Sequence, residues 1–207
     1  WNRVRVFSMR KMIREATFGL TEIDGEDIWR CTTCGKCPQR CPRGVKQIEV
    51  GVALRRVATE YEVFPASVRS ARTARASLIS QGNPLQGERK KRSEWAADLP
   101  VKPYTEGMDA LYFVGCYLSY DPRMKKVAAA TVRILNSAGV EFGILGDREN
   151  CCGESIRKTG SEEVFKTLAR ENIKSFVDNG VKKIIVSSPH CFHTFTNEYS
   201  EFMVNFE

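Results

Sequence analysis

The sequence predicts an α+β protein: a small helical module holding a cysteine-rich loop, then an α/β domain on a short parallel sheet. Three observations carry this. Residues 31–41 pack four cysteines between stretches of helical periodicity. Residues 82–108 are dense in Gly and Pro. From residue 109, short apolar runs alternate with amphipathic helical patterns, the signature of strands joined by crossover helices. The expected division is a helical module over 1–81, a linker over 82–108 and an α/β domain over 109–207.

Taken in order, Val6, Met9, Ile13, Ala16 and Leu20 recur on one face and predict a helix over 4–20, with Gly19 and Gly25 at its exit. A short helical turn over 26–30 leads into the cysteine loop. After Pro42 and Gly44, the set Val45, Ile48 and Val52 predicts a second helix. Pro65 suits the first turn of a third, which runs to about Ser80. Within 82–108, Gly82, Pro84, Gly87, Pro100, Pro103 and Gly107 are expected to break any regular element, and Trp95 to anchor the stretch.

The α/β part opens with a strand over 110–114. Asp121-Pro122 reads as a cap and first turn. Met124, Val127, Ala128, Thr131, Ile134, Leu135 and Ala138 trace the next helix face, and Gly139 stops it. A strand over 140–145 follows. Ser161 then caps a helix buried through Phe165, Leu168, Ala169, Ile173 and Phe176, with Glu162 and Glu163 at its positive end. A third strand over 183–187 and a helix from Phe192 complete the pattern.

Cys31, Cys34, Cys37 and Cys41-Pro42 read C-x2-C-x2-C-x3-C-P, the ligand run of a bacterial-type [4Fe–4S] site. Three thiolates at this spacing hold one cube, while the proline-flanked fourth turns towards a different cluster. The run therefore predicts a ferredoxin-like module. One [4Fe–4S] cluster sits on Cys31, Cys34, Cys37 and a cysteine outside this chain, and a second is touched by Cys41. Zinc ribbons pair C-x2-C units across a longer spacer, which this run lacks. Disulfides do not suit a chain with no secretory signal.

The net charge is +7. Lys36, Arg40 and Arg43 crowd the loop, where cations raise the potential of an anionic cluster. Arg69, Arg72 and Arg75, and the run Lys90-Lys91-Arg92, read as solvated surface. No nucleic-acid partner is expected, because no reader motif accompanies the charge. No apolar run reaches the roughly 18–20 residues of a membrane span. A start at Trp1 and an end at Glu207 predict an internal piece of a longer polypeptide.

The other four cysteines fall where an α/β sheet collects its ligands, at the carboxyl ends of strands. Cys116 follows the first strand, Cys151-Cys152-Gly153 the second and Cys191 the third. A lone cysteine is commonly a small buried hydrophobe. Adjacent cysteines beside a glycine, converging with two more, point instead to a second iron–sulfur site. His190, His193, Tyr117, Tyr120 and Glu154 flank these cysteines and read as ordinary loop or core residues.

These residues carry a resemblance. Cys116, Cys151-Cys152-Gly153 and Ser188-Pro-His-Cys191, with similar gaps between them, resemble the cysteine-rich CCG domain of the heterodisulfide reductase family. Ser188 stands where the family pattern has a cysteine. Ile28-Trp-Arg-Cys31 and Arg40-Cys41-Pro-Arg-Gly-Val45 resemble the family's second ferredoxin-type motif. The resemblance implies an electron-transfer oxidoreductase subunit that passes electrons from the ferredoxin-type cluster towards a cluster in the CCG domain. A complete set in the family holds a non-cubane [4Fe–4S] cluster through five cysteines, at which a disulfide can be reduced; with Ser188 in place of one of them, this copy is expected to hold that cluster, an altered or an ordinary one, or none. The resemblance also implies partners among the subunits of a redox complex, a flavoprotein and a membrane quinone subunit included. The expected location is cytoplasmic, with membrane association through parts outside this chain. The alternatives are a non-catalytic relay between a flavoprotein dehydrogenase and quinone, and a structural metal module, with zinc, that docks a partner.

Overall fold

The computed structural model of the chain describes residues 8–19, 26–63, 65 and 68–202, which divide into two compact units. The first takes residues up to Arg72 together with Ser155–Glu162, and the second Thr73–Glu154 with the chain from Glu163 on.

The first unit is helical. It holds α1 (Met9–Thr17), α2 (Asp27–Arg30), α3 (Lys36–Arg40) and α4 (Gln47–Glu60). Ser8 caps α1, its hydroxyl accepting from the Lys11 amide. Met9, Met12, Ile28 and Ala58 form its core. Val6, Leu20 and Gly25 of the expected first helix lie outside the described residues. The α3 turn inside the cysteine loop was not expected. Gly35, at φ +80°, turns the chain into it. On α4 the buried line is Gly51, Arg55 and Ala58, while Val45 is exposed ahead of the helix. Helix α5 (Arg69–Gln81) begins beyond Pro65, whose carbonyl accepts from the Val68 amide.

The second unit is built on a four-stranded, wholly parallel sheet: β1 (Lys102–Pro103), β2 (Ala110–Phe113), β3 (Phe142–Ile144) and β4 (Ile184–Val186), in the order β1-β3-β2-β4. The two inner strands are buried along their whole length, as a sheet covered on both faces requires. Between β2 and β3 run α6 (Cys116–Tyr120) and α7 (Lys125–Ser137). Between β3 and β4 the chain runs through α8 (Glu154–Lys158), of which residues 155–158 belong to the first unit, and α9 (Glu162–Asp178). After β4 come α10 (Pro189–His193), a π turn over Thr194–Glu198 and a 3₁₀ turn over Tyr199–Phe202.

One side chain set, including Tyr112, Leu118, Ala128, Val132 and Phe142, packs with α7. A second set is aromatic. Phe113, Phe165, Phe176, Phe195 and Tyr199 meet edge to face, with Phe113–Phe195 and Phe195–Tyr199 centroids 4.8 and 4.9 Å apart.

Three differences from the expectation have physical causes. The 82–108 stretch belongs to the second unit. It supplies edge strand β1, 3₁₀ turns over Arg89–Lys91 and Glu94–Ala96, and the buried side chains Asn83, Arg92 and Tyr104. Pro103 is tolerated because β1 lies at the sheet edge. On α7 the buried residues are Ala128 and Val132, while Met124, Val127 and Ile134 face water. On α9 Asn172 is buried along with Phe165, Leu168, Ala169 and Phe176, while Ile173 is only half-buried. That polar residue holds the cysteine site.

Candidate functional site

The eight cysteines are all free thiols. In the first unit Cys31 and Cys41 are half-buried, and Cys34 and Cys37 are exposed. The Thr33 amide donates to Cys31 Sγ at 3.4 Å. The Cys34 thiol is held below its ordinary pKa, first by the Lys36 amide and then by the Thr32 side chain. Cys41 is lowered by the Val45 and Arg43 amides. Such amide-solvated sulfurs are prepared for the thiolate form that binds metal. A cleft of about 530 Å³ opens beside Cys37 and Cys41, lined by Arg10, Arg40 and Arg43 and by the apolar Met9, Ile13 and Val45.

Arg55 sets the first arm of this run. Buried on α4, its Nε donates to the Ile28 carbonyl at 2.8 Å and its Nη2 to the Cys31 carbonyl at 2.6 Å. Its Nη1 donates to the Lys158 carbonyl at 2.9 Å, and its guanidinium lies 5.6 Å from the Trp29 ring centre. Sequence reading missed it, since an arginine among basic residues on a helix carries no mark of burial.

In the second unit the structure gathers the other four cysteines. All are buried. Their thiols run in series, Cys116 beside Cys151, Cys151 beside Cys152 and Cys152 beside Cys191. Each follows the carboxyl end of its strand: Cys116 opens α6 after β2, Cys151 and Cys152 lie beyond β3, and Cys191 lies on α10 after β4. Among the described residues, no group of three or more His, Cys, Asp or Glu closes round a single metal ion. A row of thiols suits a polynuclear centre better than one tetrahedral ion.

Two glycines make room. Gly115, at φ +80° and ψ 165°, leaves its α-carbon face against Cys191 Sγ, where a methyl would stand 3.3 Å away. Gly153, at φ +90°, lies against the Phe165 ring. The backbone of Cys151-Cys152 is clamped. Asn172 Nδ2 donates to the Cys151 carbonyl and to Tyr199 Oη, both at 2.9 Å, and Tyr199 Oη donates to the Cys152 carbonyl at 3.0 Å. Burial raises the Tyr199 pKa, so the phenol stays a donor.

The electrostatics of this row are unlike those of the first. Cys116 is raised well above its ordinary pKa by the Cys151 thiol and by burial. For Cys151 the Cys116 thiol acts downwards, but Cys152 and burial outweigh it. For Cys152 the Cys151 thiol acts downwards, and Cys191 and burial outweigh it. Opposing this is a buried ion pair. Arg92 Nη2 donates to Glu149 Oε1 at 2.6 Å and approaches Cys116 Sγ at 3.7 Å. Glu149 also accepts from the Val114 and Gly115 amides, each at 2.9 Å. Arg92 and Glu149 are 2% and 1% exposed, and Arg92 Nε and Nη1 have no hydrogen-bond partner. The donor set therefore fits an iron–sulfur centre: four buried soft thiols, a counter-cation and two orphaned donors.

Ser188 has the extended backbone of an N-cap residue ahead of α10, but its hydroxyl makes no capping bond. His190 Nδ1 lies 3.2 Å from Glu154 Oε1, and His193 Nε2 lies 3.7 Å from Glu198 Oε1. Among the described residues no helix is long and apolar enough to cross a membrane.

Comparison with known proteins agrees with this geometry. Residues 110–196 match the family described as "CCG: Cysteine-rich domain". This segment is a CCG domain. The chain is 37% identical, over 87% of its length, to the probable iron-sulfur-binding oxidoreductase FadF of Bacillus subtilis. It is 35% identical, over 89%, to the EtfAB:quinone oxidoreductase of Syntrophomonas wolfei. It is 32% identical, over 87%, to a component of the dihydromethanophenazine:CoB--CoM heterodisulfide reductase of Methanosarcina mazei. It spans 26%, 27% and 45% of those three proteins. No solved structure matches the chain significantly. The CCG domain and these names support iron–sulfur binding.

Proposed function

We propose that this chain is part of an iron–sulfur electron-transfer oxidoreductase of the heterodisulfide reductase-like class. Cys31, Cys34 and Cys37, with a cysteine outside the chain, would hold one [4Fe–4S] cluster, and Cys41 would reach a second. Cys116, Cys151, Cys152 and Cys191 would hold a further centre in the CCG domain. Bound there, such centres supply one-electron storage at a buried site. The chain's own residues provide thiolates, exclude water and fix the cysteine backbone through Asn172 and Tyr199. The observation that carries the reading is the row of four buried thiols at the carboxyl ends of β2, β3 and β4, beside the orphaned donors of Arg92.

Ser188 favours one version of this role. The family pattern has a cysteine at position 188, and this copy offers four thiols and a hydroxyl. Serine oxygen is a harder ligand for iron than thiolate. A relay within a flavoprotein-to-quinone complex, cytoplasmic and associated with a membrane subunit, therefore fits this copy better than disulfide chemistry on it.

The test is anaerobic purification of the full-length protein with iron and acid-labile sulfide analysis. Cys34→Ala and Cys151→Ala should each lower the iron content and remove a different paramagnetic signal. Zinc without sulfide would overturn the proposal. Reduction of a small disulfide by an artificial donor, abolished by Cys151→Ala, would favour the catalytic version over the relay.

A further inference from the structure

One residue of the 82–108 stretch is buried against the thiol row although the two residues before it are exposed. Arg92 stands in a Lys90-Lys91-Arg92 run that looks like surface charge. Lys91 is indeed exposed and pairs with Glu88. Arg92 is 2% exposed. Its guanidinium lies 5.9 Å from the Tyr120 ring centre, and its Nη2 bridges Glu149 Oε1 and Cys116 Sγ.

The arrangement is asymmetric. Glu149 spreads its charge over two backbone amides and one arginine nitrogen, so its bonding is complete. Arg92 uses one nitrogen of three, and Nε and Nη1 are buried without acceptors. Each such donor has given up its water without a replacement, which is destabilising. A carboxylate alone could have been neutralised by a residue with fewer donors. The fork of an arginine, with a sulfur at one tip, suits a larger anionic acceptor.

We propose that Arg92 is the resident cation of the CCG-domain centre: its Nε and Nη1 donate to the sulfur-rich group held by Cys116, Cys151, Cys152 and Cys191, and its charge favours the reduced state. This rests on the iron–sulfur reading of those cysteines. A positive charge and hydrogen bonds at sulfur both raise the potential of an iron–sulfur centre. Glu149, bonded to the same Nη2 that approaches Cys116 Sγ, tempers that charge. The two residues therefore act on the potential with opposite signs.

The experiment is a redox titration of the full-length protein, followed through the paramagnetic signal that Cys151→Ala abolishes. Arg92→Gln should lower the ratio of reduced to oxidised centre at least tenfold at fixed ambient potential, about 59 mV for one electron. Arg92→Lys, which keeps the charge and loses the fork, should fall between Gln and the natural residue. Glu149→Gln should shift the ratio the other way. A purely structural ion pair predicts otherwise: both substitutions lower stability or iron content, and the potential of the loaded centre stays put. Loaded variants with unshifted or same-signed potentials would overturn the proposal. Should the variants fail to load, the natural protein grown with ¹⁵N-guanidino arginine decides. Pulsed paramagnetic resonance should show a ¹⁵N coupling to the reduced centre, and its absence would also overturn the proposal. A natural protein without any signal dependent on Cys151 would instead remove the iron–sulfur reading itself, and Arg92's role with it.

Discussion

Gly153→Ala tests whether the glycine of the Cys-Cys-Gly triplet is demanded by packing. Gly153 sits at φ +90°, where a side chain is strained whatever the space. A left-handed conformation costs a non-glycine residue roughly 1–2 kcal/mol. An added methyl would also stand 2.7 Å from Cδ2 of Phe165, which is fully buried. Over-packing of this kind costs about 1–3 kcal/mol. The two terms predict a loss of roughly 2–5 kcal/mol, a large share of the ~5–15 kcal/mol that holds a typical domain together. The strain would pass to the site, because Phe165 packs edge-on against Tyr199, which holds the Cys152 carbonyl. Anaerobic urea unfolding followed by circular dichroism measures the loss as a lower midpoint at unchanged slope. The double substitution Gly153→Ala with Phe165→Leu separates the terms. Removing the ring should recover the steric part and leave the backbone part, giving a coupling of about 1–3 kcal/mol. A Gly153→Ala protein within about 0.5 kcal/mol of the parent would refute the reasoning, as would strict additivity in the double variant.

Further outcomes follow from the same geometry. Tyr199→Phe removes the donor to the Cys152 carbonyl and should cost about 1–3 kcal/mol in the same unfolding assay, with faster loss of iron from the CCG domain. Arg55→Met strips three carbonyls, including that of Cys31, of their donor. It should destabilise the first unit by several kcal/mol, read by faster proteolysis between residues 26 and 60, and lower the occupancy of the Cys31 site ahead of that of the Cys151 site. Ser188→Ala should leave the iron content of the CCG domain nearly unchanged, because its hydroxyl makes no cap bond and oxygen is the poorer ligand. In iron-free protein, Cys116, Cys151 and Cys152 hold protons that an unfolded chain releases near pH 8.5. The folded state then binds more protons than the unfolded one, so stability is full below about pH 8.5 and falls above it. The slope approaches about 1.4 kcal/mol per pH unit for each thiol. A slope that Cys151→Ala leaves unaltered would refute this.

The parts of the fold that could be read from the sequence are those with enough residues to show a period. The core of α9 and the three strands β2, β3 and β4 were in their expected places, because long apolar runs and helical repeats outweigh local noise. The shorter elements α3, α6 and β1 have two to five residues each, too few to repeat, and β1 contains a proline that argues against a strand. Helix α7 shows a different limit. Its apolar residues cover more of its circumference than the sheet can bury, so the periodicity points Met124, Val127 and Ile134 inwards while they lie outside. The cysteine positions were readable because thiols at fixed spacing serve few purposes. Their clamps were not, because Asn172, Tyr199 and Arg55 act through backbone carbonyls that any residue would present.

Arg92 shows why the electrostatics of the site had to come from the fold. In the sequence it is the third of three consecutive cations, and solvation is the natural expectation for all three. A 3₁₀ turn over Arg89–Lys91 places these neighbours on different sides of the chain, so that Lys91 reaches Glu88 in water while Arg92 is buried. Burying it without a carboxylate would cost several kcal/mol, and Glu149 lies 57 residues away, beside Cys151. The pair forms only once β2 and β3 are side by side and the Val114 and Gly115 amides point at Glu149. The cation at the thiols thus follows from sheet topology, and neither the basic run nor the cysteine spacing predicts it alone.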